Sequence, residues 1–334
     1  MHIEEFDYQL PQEVIAQQPA VPRDSCRLLV LDDGIHHHRF TDITEYLHEG
    51  DVLVLNDTRV RHARIHARKD TGGKIELLVL GQENSSYSCM VKGRVHKGTV
   101  IELPGGETAT VIHKDDGICQ LDIPLDMEAL EAMGEMPLPP YITADLDPAT
   151  KERYQSVYAD EKGSVAAPTA GLHFTPGLLE HIEHMGVAIV TITLHVGIGT
   201  FLPVRSEHVE EHSMQSEYFS IDREAAEAIN QASGNVIAVG TTTIRALESA
   251  AHDGIVAPVE QWTDLYIYPG YRWRSPVTGL LTNFHLPQST PLLMVCAYAG
   301  RERIMQAYQE ALQQGYRFLS FGDAMFIQGV PCSR

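Results

Sequence analysis

Cysteine is scarce and scattered. The 334 residues hold five, Cys26, Cys89, Cys119, Cys296 and Cys332, with no CxxC pair. That excludes a zinc knuckle and offers no disulfide framework. Positive charge is short as well: 25 Lys and Arg stand against 45 Asp and Glu, for a net charge of −20. Such a balance excludes a chain that binds nucleic acid over its whole surface, although it does not locate a local basic patch. No apolar run is long enough to cross a membrane. The opening MHIEEFDYQL is acidic and has no signal-peptide core, so a cytoplasmic protein is expected. The histidines lack ligand spacing, and the tract His36–Phe40 (HHHRF) reads as a solvated loop, so no metal is expected.

What is present falls into two textures. From about Ala63 to Ile123, short strand-like runs recur roughly every ten to twelve residues, separated by Gly-rich turns. Residues 74–80, 87–91, 99–103, 108–113 and 118–123 are the expected strands, and a small sandwich or barrel is the expected architecture. A short helix is expected over 125–133, and Pro137–Pro140 then reads as a linker. After Gly163 strands and helices alternate to the end. Helices are expected at 176–185, 223–233, 242–252, 290–299 and 303–314, and strands at 187–194, 236–239, 263–268 and 318–321. In the front of the chain, 27–32 and 51–56 are expected strands, with short helices at 10–17 and 41–48. The fold class is therefore α/β. A layered αβα domain with a mainly parallel sheet is interrupted by an inserted small β-barrel. The expected boundaries are 1–62 with 150–334 for the α/β domain and 63–149 for the barrel.

The chain is organised around Gly163–Thr175, GSVAAPTAGLHFT. Small residues and Pro168 make a loop that a ligand can approach closely. It ends at a helix whose N-cap is expected to be Thr175, with Pro176 in the first turn. Three further loops sit at strand ends: His195–Phe201 (HVGIGTF), Gly240–Thr243 (GTTT) and Leu280–Ser289 (LLTNFHLPQS). Strand ends of this kind are where open α/β sheets bind ligands. Between Arg59 and Lys97, nine basic residues stand against three acidic ones. Taken alone this segment reads as a solvated basic face; Arg59, Arg61, Arg64, Lys92 and Arg94 are its candidate contacts should a polyanion bind there.

These stretches, with TLHVGIGTFLPV, VGTTTIRALES, TDLYIYPGYRW, FGDAMFI and, earlier, FDYQLPQEVIAQQP, PRDSCRLLVLD, GDVLVLNDTRV and TGGKIELLVL, resemble one family over nearly the whole chain. It is the family of S-adenosylmethionine:tRNA ribosyltransferase-isomerases of queuosine biosynthesis. The resemblance implies that the ribosyl part of S-adenosylmethionine, used as a co-substrate, moves onto 7-aminomethyl-7-deazaguanine at the wobble position of a tRNA. Rearrangement to epoxyqueuosine releases adenine and methionine.

That chemistry needs a base for a proton beside the sulfonium and an acid for the departing adenine. His173, His195 and His285 are the candidate bases, since histidine titrates near working pH. His173 is favoured for the permissive loop around it. Asp323 is the candidate acid or adenine-recognising group; its alternative is a carboxylate at a helix N-cap. Binding candidates are Thr169, Gly171, Phe174, Gly197, Gly199, Thr200, Phe201, Thr241, Thr242 and Asn283. Arg245 is expected to pair with the methionine carboxylate, the alternative being an ion pair with Glu248 one turn on. The segment His212–Glu217 departs from the family pattern, where histidine is expected in place of Gln215. Two rival classes stay open: a different S-adenosylmethionine-dependent RNA-modifying enzyme, such as a methyltransferase, and a non-catalytic tRNA-binding protein. Release of free adenine separates them.

Overall fold

The strand Val52–Asn56 is buried along its whole length, and the main sheet is built outward from it. The structure is a computed structural model, which describes residues 1–83, 85–115, 117–197, 199 and 204–332. The chain forms two compact units, one of residues 1–59, 140–161 and 167–334, the other of residues 60–139 and 162–166.

The first unit carries a nine-stranded sheet. Its strand order is 259–263, 217–221, 188–194, 52–56, 236–239, 279–283, 324–328, 27–31 and 35–39. The central four, Ala188–Leu194, Val52–Asn56, Val236–Val239 and Gly279–Asn283, run parallel. Antiparallel pairs flank them, and Ala324–Gln328 pairs in parallel with Arg27–Leu31. On one face Leu28, Val30, Leu53, Leu55, Val239 and Leu281 pack against Phe40, Ile43, Phe174, Leu178 and Ile182. Residues of the opposite pleat, Val52, Val54 and Ala238, are buried as well. Helices Arg223–Asn230 and Thr241–Ala250 pack on these strands. Burial on both faces explains why the strands read as continuous apolar runs rather than alternating ones.

Helix ends follow local chemistry. The Thr175 hydroxyl accepts from the Leu178 amide, Pro176 takes the first helical position, and Gly186 follows the helix in the left-handed region. Four expectations need correction. The helix expected at 10–17 is a single 3-10 turn, Gln12–Val14, after which Ile15 bridges to Phe318. His36–Arg39 belongs to an edge strand, Ile35–Arg39, because the open edge of Arg27–Leu31 supplies backbone partners for it. The strand expected at 263–268 lies at Val259–Thr263. The strand expected at 318–321 is a buried turn, and the strand is Ala324–Gln328. Leu319 is left-handed there, and a Cβ on Gly322 would meet the Arg317 carbonyl oxygen at 2.5 Å. An apolar run by itself does not distinguish such a turn from a strand.

The second unit is a closed six-stranded barrel in the order 118–122, 86–92, 74–83, 64–69, 100–102 and 108–115. Ile65, Leu77, Tyr87, Cys89, Ile101, Val111, Cys119 and Leu121 fill its interior. Leu130 of the helix Met127–Met133 joins that core. The strand Arg64–Lys69 has no expected counterpart. Its outward positions carry Arg64, His66 and Arg68, so only two apolar residues, Ile65 and Ala67, mark the buried face. Among the described residues no helix is long and apolar enough to cross a membrane.

Candidate active site

The C-terminal ends of the four parallel strands lie side by side, so the loops that leave them share one edge of the sheet. This is the edge where open α/β sheets take ligands. Asn56 ties three of these ends together. Its Oδ1 accepts from the amides of Thr58 and Leu194, and its Nδ2 donates to the Leu194 carbonyl and to Thr242 Oγ1. A pocket opens here, lined among others by Thr169, Thr241, Thr242, Asn283 and His285. Tyr141, Ser289 and Ser320 join its wall. Gly240 turns the chain into this wall with φ 94 and ψ 151, a conformation open to glycine and strained for other residues.

The three histidines occupy different places. His173 is 4% exposed and lies in the 3-10 turn Thr169–His173. Asn283 Nδ2 donates to its Nε2 at 3.1 Å and to the Leu319 carbonyl, while Asn283 Oδ1 accepts from Thr169. An amide nitrogen only donates, so Nε2 is the acceptor and Nδ1 carries the proton, facing Cys26 Sγ at 3.2 Å. Both ring nitrogens are thus engaged, and His173 is not on the pocket wall. Burial, with Arg317 and Arg23 nearby, pushes its pKa down to about 3. His195 has Nδ1 at 2.8 Å from Thr58 Oγ1 and its ring stacked on Tyr218 at 5.5 Å. His285 lines the pocket half-buried, with Nε2 at 2.9 Å from Thr282 Oγ1. Its Nδ1 has no partner among the described residues. Desolvation pushes the His285 pKa down to about 3, so the ring enters the site neutral.

The other candidates divide in the same way. Asp323, 2% exposed, accepts the Arg27 amide at 2.9 Å and the Arg317 amide at 2.7 Å. Both oxygens hold backbone amides, of a strand start and of a turn, and Asp323 caps no helix, since the strand Ala324–Gln328 follows it. Phe174 is fully buried edge-on to Phe40, in the core. A Cβ on Gly171 would lie 2.0 Å from Tyr158 Oη, so that glycine makes room for a tyrosine. The Gly197 amide donates to Glu217 Oε1 at 2.7 Å, and a Cβ on Gly199 would meet Gln215 Oε1 at 3.5 Å. Thr200 and Phe201 lie outside the described residues. Arg245 is buried and pairs with Glu217 Oε2 at 2.5 Å. Glu248 has other work: it accepts from the Arg274 and Ser275 amides and from the Ser275 and Tyr271 hydroxyls. In the barrel, Lys92 and Arg94 are exposed. Arg61 pairs with Glu131, and Arg64 with Glu76 and the Leu138 carbonyl. Arg59, in the first unit, is exposed and donates to the Ala159 carbonyl.

Asn56, Glu217, Tyr141 and Ser289 are site residues that the sequence does not single out. Asn56 could have been found, since a polar residue ends an otherwise apolar strand run. Glu217 and Tyr141 carry no local signal, because their partners are remote in sequence. Among the described residues one group with metal-ligand atoms comes together, His2, Glu207 and His208, at the surface.

The two low histidine pKa values have a consequence for stability. In the unfolded chain these rings protonate below about pH 6.5. Between that pH and 3 the unfolded state therefore binds more protons than the folded state. Stability should be full above pH 6.5 and fall as pH drops toward 3, by up to about 1.4 kcal/mol per pH unit for each ring. Urea melts from pH 7 to pH 4 should show a shallower fall in His173→Gln than in the native chain. Equal slopes would mean that His173 protonates as readily folded as unfolded.

Compared with known proteins, residues 3–327 match the family model described as queuosine biosynthesis protein. A crystal structure of S-adenosylmethionine tRNA ribosyltransferase from Thermotoga maritima is similar at 36% sequence identity and a TM-score of 0.54. The match covers 97% of this chain and 99% of that one.

Proposed function

The chain belongs to the queuosine biosynthesis protein family, and from that membership we propose that it transfers and isomerises the ribosyl part of S-adenosylmethionine onto a tRNA. The acceptor in this reading is 7-aminomethyl-7-deazaguanine at the wobble position, the product is epoxyqueuosine, and the compartment is the cytoplasm. The observation that carries the residue assignment is the pocket at the parallel strand ends, where His285 presents a neutral ring with a free Nδ1.

His285 takes the proton from the ribose carbon beside the sulfonium. Desolvation makes the resulting imidazolium costly, so the proton passes on to the departing adenine nitrogen, which needs one. Thr169, Thr241 and Thr242 supply hydroxyl groups for the ribose and base edges, and Asn283 holds Thr169 in place behind them. Arg245 and Glu217 act one layer back: the pair fixes the Gly197 amide and the helix Thr241–Ala250. Incubating the chain with S-adenosylmethionine and tRNA bearing the modified base, with mass detection, should yield free adenine, methionine and the new nucleoside. S-adenosylhomocysteine in their place would make the chain a methyltransferase.

The barrel is the proposed RNA contact, through Lys92 and Arg94. Arg61 and Arg64 already hold partners within that unit, so their loss would confuse folding with binding. The double variant Lys92→Ala/Arg94→Ala should weaken tRNA binding. It should also reduce the salt slope of log Kd by about 0.7–0.9 for each phosphate that is no longer neutralised. S-adenosylmethionine affinity should hold. An unchanged salt slope would remove these two residues from the RNA surface.

A further inference from the structure

A second small pocket in the first unit is lined by Arg23, Arg153, Leu172, His173, Ser320 and Phe321, among others. Arg23 comes from the PRDSCRL stretch, which the proposed reaction leaves without a role. Arg153 closes the short helix Pro148–Glu152. Both guanidinium groups are half-buried, and the protein satisfies them only with backbone carbonyls. Arg23 Nη1 donates to the carbonyls of Gln155, at 2.7 Å, and Leu172, at 3.4 Å. Arg153 Nη2 donates to that of Ala20. A guanidinium has five N–H donors, so most are unspent on each. Among the described residues neither arginine has a carboxylate within ion-pair distance.

The two charges also feel each other. Burial lowers the Arg23 pKa, and the nearby Arg153 lowers it further. A third arginine, Arg317, has a partner in Asp323 at 3.6 Å. His173 adds no charge, because its ring is neutral. Two like charges beside the apolar Leu172 and Phe321 repel without compensation. In a chain with 45 acidic residues, the absence of a carboxylate beside either arginine calls for an anion from outside.

We propose that Arg23 and Arg153 bind a single phosphate group, and that it belongs to the backbone of the RNA substrate. Paired guanidinium forks match phosphate oxygens in geometry and charge, and phosphate contacts fix the register of a nucleic acid on a protein. Naming RNA as the source rests on the proposed tRNA reaction; the anion site itself does not.

The test uses the full chain and Arg23→Gln, Arg153→Gln and Arg153→Lys variants, with circular dichroism to establish folding. In one arm, melting is followed with inorganic phosphate against chloride at equal ionic strength. The native chain should gain thermal stability in phosphate, both glutamine variants should lose that gain, and Arg153→Lys should keep part of it. In the other arm, an anticodon stem-loop is bound over a salt series. Each glutamine variant should weaken Kd by about tenfold or more and reduce the salt slope by about 0.7–0.9. A single neutral methylphosphonate at the phosphate held by the arginines should reproduce the weakening in the native chain and add nothing to Arg153→Gln. Disappearance of the phosphate effect with unchanged RNA binding would keep the anion site and assign it to a free phosphate compound. Folded variants that match the native chain in both arms would overturn the proposal. No readout uses turnover, so failure of the transfer reading would leave this outcome distinct.

Discussion

His285→Ala should lower turnover by about 100- to 10,000-fold, the usual contribution of a positioned general base, while S-adenosylmethionine and tRNA still bind. The reason is access. His285 stands on the pocket wall with one ring nitrogen unclaimed. His173 is buried away from that wall with both nitrogens engaged. His173→Ala should act through stability instead, since Asn283 would lose a buried acceptor, at a cost of about 1–3 kcal/mol. Exchange of the ribose-carbon protons with deuterated solvent, where the native chain catalyses it, should vanish in His285→Ala alone. Full turnover in His285→Ala, with loss in His195→Ala, would move the base to the other histidine.

The second large effect concerns the buried ion pair. Arg245→Ala leaves the Glu217 carboxylate, 5% exposed, without its cation. Breaking such a pair from one side costs about 3–5 kcal/mol, which for a chain of this size lowers Tm by roughly 4–7 °C. Glu217→Ala should do the same and also release the Gly197 amide. Replacing both residues with well-packed apolar ones should cost less than either single change, because no charge is then stranded. Calorimetry on the two single variants and the double variant tests this. An Arg245→Ala chain that melts like the native one yet loses S-adenosylmethionine affinity would return Arg245 to the ligand.

Much of the architecture is legible in the sequence. Buried central strands such as Val52–Asn56 and Val236–Val239 are β-branched apolar runs, and a sheet covered on both faces requires that pattern. The helix Pro176–His184 announces itself with Thr175 and Pro176. Edge and turn segments are harder. Ile35–Arg39 looks like a polar loop because an edge strand needs no apolar face, and residues 318–321 look like a strand because a buried turn is as apolar as one.

The site is legible as a set of loops but not as a set of roles. The GTTT and TNFH stretches reach the pocket, as their positions at strand ends imply. Arg245 is expected from sequence to choose between a ligand carboxylate and Glu248, and its partner is Glu217, 28 residues away.

The family, the α/β class and the existence of a barrel follow from the sequence alone, because periodicity, turn chemistry and long local motifs are properties of neighbouring residues. Which histidine keeps a ring nitrogen unclaimed is decided only by tertiary structure. A ring nitrogen is free or spent according to groups far off in the chain: Asn283 and Cys26 stand 110 and 147 residues from His173. Burial, which sets the pKa, depends in the same way on the packing of distant elements.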